Sequence, residues 1–125
     1  MSKLNGDPGI QTRVEVRGRE RLIVVAGKIT IDSSPALRAL VLQHLDSADC
    51  DRLILDLFEV LYVDTSCLAV LLEILKAARL GNKTIHLSGL RDRPRYLLEA
   101  TRILRLFPEI EHNSRQSQTT GGNSQ

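Results

Sequence analysis

Hydrophobic and polar residues alternate near the start of the chain, and this pattern predicts a β-hairpin. In "TRVEVR", Val14 and Val16 are separated by charged residues, which is the period of a half-exposed strand with both valines facing inward. Gly18 then marks a turn, and "RLIVVAG" is apolar on both faces, as expected of a more central strand. The short connection predicts that the two strands form a hairpin.

The next segment, "SSPALRALVLQHL", changes to a helical period. Ser33 or Ser34 can accept hydrogen bonds from the free N–H groups at a helix start, and Pro35 suits the first helical position. The inner face of this helix is predicted to consist of Leu37, Leu40, Val41, His44 and Leu45.

A buried strand and a long helix follow. "RLILDL" has the pattern of a buried strand, and residues 58–63 lead from it to a helix from about Thr65 to Leu80. Gly81 stands where a left-handed C-cap belongs. The core face of this helix is predicted to carry Leu68, Leu71, Leu72 and Leu75.

The last third of the chain predicts one more strand, one more helix and a short closing segment. In "KTIHLSG", Ile85 and Leu87 alternate with polar residues, so this segment is predicted to be a strand. "RPRYLLEATR" has the pattern of a helix, and residues 103–110 are expected to form a turn and an edge strand. Pro108 lacks an N–H group and keeps that strand out of a central position.

The order of these elements predicts the fold class. Strands that are separated by helices pair in parallel through crossovers, and the opening hairpin adds one antiparallel strand. The chain is therefore expected to be an α/β domain with a small, mostly parallel mixed sheet of four to five strands and three to four helices. Functional residues in such sheets gather where strands lead into helices, which here means residues 27–34 and 63–67.

The two ends of the chain are polar and are expected to lie outside this domain. Residues 1–11 contain Gly6, Pro8 and Gly9 and are predicted to be a loose arm. Residues 112–125 contain no apolar residue and are predicted to be disordered, because they cannot offset the entropy of ordering. The domain is accordingly assigned to residues 12–111.

Composition and charge narrow the classes of function. With 125 residues, 42% of them hydrophobic, the chain can bury one core. A net charge of +2, interleaved acids and few aromatic residues argue against direct nucleic-acid binding. The longest apolar stretch is interrupted by Glu73 and Lys76, so no membrane insertion is expected. Cys50 and Cys67 do not make a disulfide framework, and the start lacks a secretion signal, so a cytoplasmic location is predicted.

Asp64, Thr65, Ser66 and Cys67 stand in a row immediately before the leucines of the long helix. One interpretation is a helix cap, in which Asp64 accepts from the first N–H groups and the hydroxyls bond locally. The other is a phosphorylation switch, because the free N–H groups and the helix dipole tolerate a phosphate on Ser66. Such a group adds about −1.5 to −2 charges and would disfavour any partner that buries this turn.

The segment "LILDLFEVLYVDTSCLAVLLEILKAARLGNKTIHLSGL" resembles the core of a STAS domain, the fold of bacterial anti-sigma factor antagonists. In that family a strand and a short loop lead to an Asp-Ser/Thr-Ser-Gly motif that opens a helix. "VVAGKITIDSSPALRAL" is similar to the family's Gly-x-Leu-Asp stretch, and "LLEATRILRLFPEI" is similar to its closing helix, turn and strand. The resemblance covers roughly residues 12–111.

The resemblance implies a partner-switching regulator that is not an enzyme and needs no cofactor. Its partner would be an anti-sigma serine kinase, which binds the unphosphorylated form and phosphorylates the serine at the position of Ser66. Asp64 would cap the helix and orient the site, with Thr65 as a less favoured acceptor. Whether the chain forms a homodimer is left open. The partner surface implied by the family, together with the outer side of the helix, comprises Thr30, Ile31, Asp32, Ser33, Ala69, Glu73 and Lys76.

Two positions depart from the family pattern and define an alternative. Thr30 replaces the usual Asp of the Gly-x-Leu-Asp stretch, although Asp32 is near enough in sequence to substitute for it. Cys67 replaces the Gly that ends the motif. The alternative is a STAS module that binds without being phosphorylated, either as a scaffold subunit of a sensory assembly or as the cytoplasmic subunit of a lipid ABC transporter.

The remaining reactive and charged residues do not indicate an enzyme or a metal site. The helix dipole would lower the pKa of a Cys67 thiol, but neither His44 nor His86 is spaced as its base, so a small semi-buried residue is favoured. The three histidines, including His112, show no metal-ligand spacing. Asp56 is expected to hydrogen-bond the neighbouring loop rather than act as an acid or base. The basic stretch "RDRPR", residues 91–95, is interpreted as a solvated loop, with contact to an acidic partner as the less favoured alternative.

Overall fold

The structure, a computed structural model, describes residues 9–112, and these residues form one sheet with helices packed on it. The elements in chain order are β1 (Ile10–Arg17), β2 (Glu20–Ile29), α1 (Ser34–Leu45), β3 (Arg52–Val63), α2 (Thr65–Leu80), β4 (Thr84–Ser88), α3 (Asp92–Ala100), a 3₁₀ turn (Leu104–Leu106) and β5 (Glu109–Ile110).

The sheet has the strand order β1-β2-β3-β4-β5. β1 and β2 are antiparallel, whereas β2–β3, β3–β4 and β4–β5 are parallel pairs. This arrangement confirms the predicted mixed α/β fold class. The central strand β3 is longer than "RLILDL", because pairing with β2 continues to Val63 and so delivers the chain directly to Asp64.

The main core lies between the helices and one face of the sheet. Ile23 and Val25 of β2 and Leu53 and Leu55 of β3 pack there with buried residues of α1, α2 and α3. Alternate residues of the same strands point to the opposite face, where Leu22, Val24 and Ile54 form a smaller buried cluster. β2 is therefore apolar on both faces, as predicted for a central strand.

Val16 does not face inward as predicted, since 62% of the residue is exposed. It pairs with Arg21 near the hairpin turn of an edge strand, and only Val14 of the two valines packs against the core. Alternation along β1 therefore predicts the strand correctly but overstates its burial.

The core face of α2 differs from the predicted one. Leu71 and Leu75 are buried, Leu68 is half-buried, and Leu72 is 43% exposed. Consecutive residues of a helix are about 100° apart, so Leu71 and Leu72 cannot share the centre of one face. The buried residues are Cys67, Val70, Leu71, Ile74, Leu75 and Ala78.

The C-terminus of α2 is also closed differently from the prediction. Gly81 has a φ of −94° and is not left-handed, whereas the next residue, Asn82, has a φ of 58°. Asparagine is among the non-glycine residues that most readily adopt this conformation. The left-handed residue thus comes one position later than expected.

Both ends of the predicted domain extend slightly further than assigned. β1 begins at Ile10, and His112 stacks on Phe58 with ring centroids 4.2 Å apart. The Nδ1 atom of His112 also lies 3.2 Å from Oδ2 of the fully buried Asp56, whose Oδ1 accepts from the Phe58 N–H. Burial raises the pKa of Asp56. The rest of the predicted arm and tail, residues 1–8 and 113–125, lies outside the described residues.

Gly27 fixes the course of β2 as it approaches the loop before α1. Its φ is 110°, and a β-carbon at this position would lie 2.1 Å from the carbonyl oxygen of Gly9. The Gly9 carbonyl in turn accepts from the Lys28 N–H at 2.7 Å. A side chain at Gly27 would therefore force two backbone segments apart.

We expect Gly27→Ala to lower the free energy of unfolding by at least about 3 kcal/mol, because backbone strain and a backbone clash add together. Gly18→Ala is the matched control. Gly18 also has a positive φ, 61°, but no atom lies within 4 Å of its would-be β-carbon. Gly18→Ala should lower the free energy of unfolding by only about 1–2 kcal/mol. Equal urea midpoints for the two variants would contradict the role of the clash.

Candidate functional site

The two strand-to-helix junctions that the sequence singles out meet at the end of the sheet. β2 and β3 are parallel neighbours, and their last residues, Ile29 and Val63, are paired. The Asp64 N–H donates to the Ile29 carbonyl at 3.1 Å, which extends this pairing by one step. The loop after β2 and the first turn of α2 therefore lie side by side.

Asp64 connects these two segments through its carboxylate. Oδ1 accepts from the Ser66 N–H at 2.9 Å and from the Ser66 hydroxyl, while Oδ2 accepts from the Ile31 N–H at 3.1 Å. Asp64 has extended backbone angles and is the N-cap of α2, as predicted. The bond from the Ser66 hydroxyl, supported by the backbone donors, lowers the pKa of Asp64. The carboxylate is thus held ionised.

Ser66 and Thr65 differ in exposure and bonding. Ser66 is half-buried, with its hydroxyl directed to Asp64, whereas Thr65 is exposed at the first position of the helix. Neither residue is enclosed by the core. The site therefore presents two hydroxyls at a helix start, of which Ser66 is the one held in a fixed position.

In the loop before α1, some of the predicted contact residues are exposed and one is buried. Ile31 is 72% exposed and Asp32 is also exposed, while Thr30 is half-buried. Ser33 is fully buried, because its hydroxyl donates to the Lys28 carbonyl at 2.8 Å and accepts from the Thr30 N–H at 3.0 Å.

Ser33 differs from the prediction in two respects. Its side chain is not available to a partner, and it makes no capping bond to α1, although its backbone position is that of the N-cap. The hydroxyl instead closes the loop on itself, which fixes the backbone of the exposed residues Ile31 and Asp32. Ser33 is thus a supporting residue of this surface.

The outer side of α2 is exposed where the sequence predicts it. Ala69, Glu73 and Lys76 are all exposed, and Glu73 accepts a hydrogen bond from Nε of Arg38 on α1 at 2.8 Å. Leu72 belongs to this surface and was missed. Leu71 precedes it and is equally apolar, and only packing shows which of the two leucines points outward.

A second set of exposed residues near the site was also missed. Tyr62, which precedes the motif, and Tyr96 of α3 are 37% and 72% exposed. With Arg93 they line a groove that reaches Asp64 and Thr65. Their sequence separation gives no signal of this proximity, which depends on how α3 packs beside the end of β3.

Cys67 is not an activated thiol, because it is buried and its pKa is raised. It is 1% exposed, and burial, with a smaller contribution from Asp64, raises its pKa to about 12. Desolvation therefore outweighs the helix dipole, which would lower the pKa. Cys50 is likewise buried and donates weakly to the Arg52 carbonyl. The structure supports the interpretation of Cys67 as a packing residue.

Within residues 9–112, the side chains of His, Cys, Asp and Glu form no group of three that could hold a metal ion. Burial lowers the pKa of both His44 and His86. No helix in the same range is long and apolar enough to span a membrane.

The buried state of both cysteines predicts slow alkylation. Native protein treated with iodoacetamide near neutral pH should remain largely unlabelled, because both thiols are buried and the pKa of Cys67 is raised. In urea, both Cys50 and Cys67 should react, which intact-mass spectrometry would show. Rapid labelling of native Cys67 would contradict the raised pKa.

The Asp64 carboxylate predicts a pH-dependent contribution to stability. Asp64→Ala should lower the free energy of unfolding by about 1–2 kcal/mol at neutral pH, since it removes the cap and the bond to Ile31. Asp64→Asn should cost less, because asparagine is also a good N-cap. The folded-state pKa of Asp64 is lowered, so its ionic contribution is present above about pH 3.9 and is lost as the pH falls through the lower value.

Urea unfolding at neutral and strongly acidic pH would test this. The wild type should approach the Asp64→Asn variant in stability on acidification. Asp32→Asn is the control, because the exposed Asp32 carboxylate accepts no hydrogen bond among the described residues. A wild-type advantage that persists undiminished in acid would contradict the expected titration.

Comparison with known proteins identifies the fold. Residues 12–108 match the family described as "Mlab, STAS domain". An anti-sigma factor antagonist from Mycobacterium paratuberculosis is 18% identical, with a TM-score of 0.74 and a match covering 88% of this chain and 92% of that one. A comparison with curated protein sequences gave no match.

Two further solved structures have the same fold. An anti-sigma-factor antagonist (STAS) domain protein from Planctomyces limnophilus is 14% identical, has a TM-score of 0.72 and matches 85% of this chain and 93% of its own. The Bacillus cell fate determinant SpoIIAA in its phosphorylated form is 12% identical, has a TM-score of 0.67 and matches 85% of this chain and 95% of its own. The family match includes the whole site and most of the chain, and the chain therefore belongs to the STAS domain family.

Proposed function

We propose that this STAS domain is an anti-sigma factor antagonist that binds an anti-sigma serine kinase and is released when Ser66 is phosphorylated. The observation that carries the proposal is the position of Ser66. The residue is half-buried at the first turn of α2, and its hydroxyl is bonded to a carboxylate that also holds the neighbouring loop. The proposed role is that of a non-enzymatic regulator in the cytoplasm.

Phosphorylation would act first on the Asp64 carboxylate. The ester oxygen of a phosphoserine has no proton to donate, so the bond from Ser66 to Asp64 would be lost. About −1.5 to −2 charges would then stand beside an ionised carboxylate. The positive end of the α2 dipole would attract the phosphate, and repulsion of the Asp64 carboxylate would weaken its bond to the Ile31 N–H.

The proposed partner surface lies on both sides of this switch. Ile31 and Asp32 are exposed on the loop, and Ala69, Leu72 and Glu73 are exposed on α2. Exposed apolar residues such as Ile31 and Leu72 supply area that a partner can bury. A phosphate between these segments would have to be desolvated on binding or matched by cations on the partner.

A second candidate is a STAS subunit that binds its partner constitutively, as a sensory scaffold or as the cytoplasmic subunit of a lipid ABC transporter. The observation in its favour is the packing around Ser66. Cys67 is a buried side chain where the antagonist motif has glycine, and position 30 carries a half-buried threonine instead of a carboxylate. In this case the partner would bind the same surface, and Ser66 would not be phosphorylated.

The two candidates differ in their response to charge at Ser66. With a cognate anti-sigma kinase and ATP, we expect one added phosphate at Ser66, located by peptide mass spectrometry. Ser66→Asp should weaken kinase binding by at least about tenfold, because its fixed charge stays beside Asp64, whereas Ser66→Ala should still bind. Thr65→Ala is the matched control for the modified position and should keep the phosphate.

Isothermal titration of the three variants would separate the outcomes. Equal affinities for Ser66→Asp and Ser66→Ala would refute the switch. A stable complex from native lysate that persists with ATP would then favour the constitutive subunit.

A further inference from the structure

A groove of about 330 Å³ lies beside the first turn of α2, on the side that faces α3. Its floor is apolar, with the buried Val63 and the half-buried Leu97. We call it the tyrosine groove, and its lining consists of Tyr62, Val63, Asp64, Thr65, Arg93, Tyr96 and Leu97.

Of the three arginines in the basic stretch before and within α3, Arg93 lines this groove. Arg91 stacks on Phe58 and donates to the Phe58 carbonyl at 2.9 Å, and Arg95 pairs with Glu99 and Glu109. Arg93 is different, because among the described residues no carboxylate pairs with it.

Arg93 is nevertheless held in place. Its guanidinium lies over the ring of Tyr62, 5.7 Å from the ring centroid. A cation that is stacked on an aromatic ring but unpaired keeps its fork of N–H donors free for a planar anion. A solvated loop, the interpretation favoured from sequence, does not account for this arrangement.

The other polar groups that line the groove are mostly donors as well. The hydroxyls of Tyr62, Tyr96 and Thr65 make no hydrogen bond with any described residue, and each can donate a proton. The Asp64 carboxylate also lines the groove, and its negative charge is shared by three donors, the N–H and hydroxyl of Ser66 and the Ile31 N–H. The cation of Arg93 and the three unbonded hydroxyls are therefore the groups in the groove that can bind an additional acceptor.

From this combination we propose that the tyrosine groove binds an acidic side chain of the partner protein, together with an apolar side chain adjacent to it. Arg93 pairs with the carboxylate, and the exposed rings of Tyr62 and Tyr96 cover the apolar neighbour. Tyrosine and arginine are the residue types that most often dominate protein interfaces. The groove volume suits one or two side chains of a protein segment.

A nucleic acid is a poorer match for the same groove. Binding to nucleic acid requires several cations along a phosphate backbone. Here Arg91 is bonded to a backbone carbonyl and Arg95 to a carboxylate, so that among these three arginines Arg93 remains for a ligand. A protein carboxylate needs only one such cation.

This inference rests on the protein-binding role proposed above but not on phosphorylation. It specifies which partner side chain is bound, an acidic one, and adds a contact on α3 that the switch at Ser66 does not require. Its test therefore uses unphosphorylated full-length protein.

The probe is a phage-displayed library of random dodecapeptides, selected on the immobilised wild-type chain. We expect the recovered peptides to contain Asp or Glu next to an aromatic or aliphatic residue. Amide shifts in a ¹H–¹⁵N spectrum titrated with the best peptide should centre on residues 62–65 and 93–97. Replacing the acidic residue of that peptide by its amide should weaken binding by at least about tenfold.

Charge reversal at Arg93 provides the matched comparison. Arg93→Glu should lose the peptide, while Arg105→Glu should bind like the wild type, because Arg105 is also exposed, on the 3₁₀ turn, and does not line the groove. Ser66→Ala should also bind, which separates this site from the switch. Unchanged thermal unfolding would show that the Arg93 variant is folded.

Three results would overturn the proposal. They are recovered peptides without acidic residues, equal binding by Arg93→Glu and wild type, and failure to recover any peptide that competes at the groove. If Ser66→Asp leaves partner binding unchanged while acidic peptides still bind the groove, the phosphorylation switch fails and the groove stands.

Discussion

The site depends on one carboxylate that serves two segments of the chain. Asp64 caps α2 through Ser66 and at the same time holds the loop before α1 through the Ile31 N–H. Without the second bond, α2 would still begin at Thr65, but the motif would be connected to this part of the chain only by the backbone bond from Asp64 to Ile29. The capping and switch interpretations of the sequence are therefore not exclusive. The cap is the part of the structure on which a charge change would act.

Parallel pairing makes this double use of Asp64 possible. β2 and β3 end together at Ile29 and Val63, so the residue after β3 lies opposite the loop after β2. Gly27 permits the close backbone approach on the other side of β2, and the buried Ser33 closes the loop. Backbone geometry and one carboxylate thus determine which side chains of the loop reach the surface.

The sequence predicts the elements better than it predicts their surfaces. The start of α2 is correct because Asp64 gives a specific capping signal, and the parallel pairing of β2, β3 and β4 follows from the helices between them. Leu71 and Leu72 look alike in the sequence, and only packing decides which one is buried. The burial of Ser33 follows from bonds to Lys28 and Thr30 that no periodicity reveals. The tyrosine groove was missed because it joins residues from three elements.

The two proposed features have a common electrostatic consequence. Thr65 lines the tyrosine groove, and Ser66 is the next residue on the same helical turn. A phosphate on Ser66 would add about −1.5 to −2 charges to a site that already carries the Asp64 carboxylate, and would so disfavour a partner carboxylate at Arg93. The same phosphate would also loosen the Asp64 bond that holds the opposite loop. One modification would then weaken partner contacts on both sides of the α2 N-terminus, which makes a large change in affinity attainable without a change of fold.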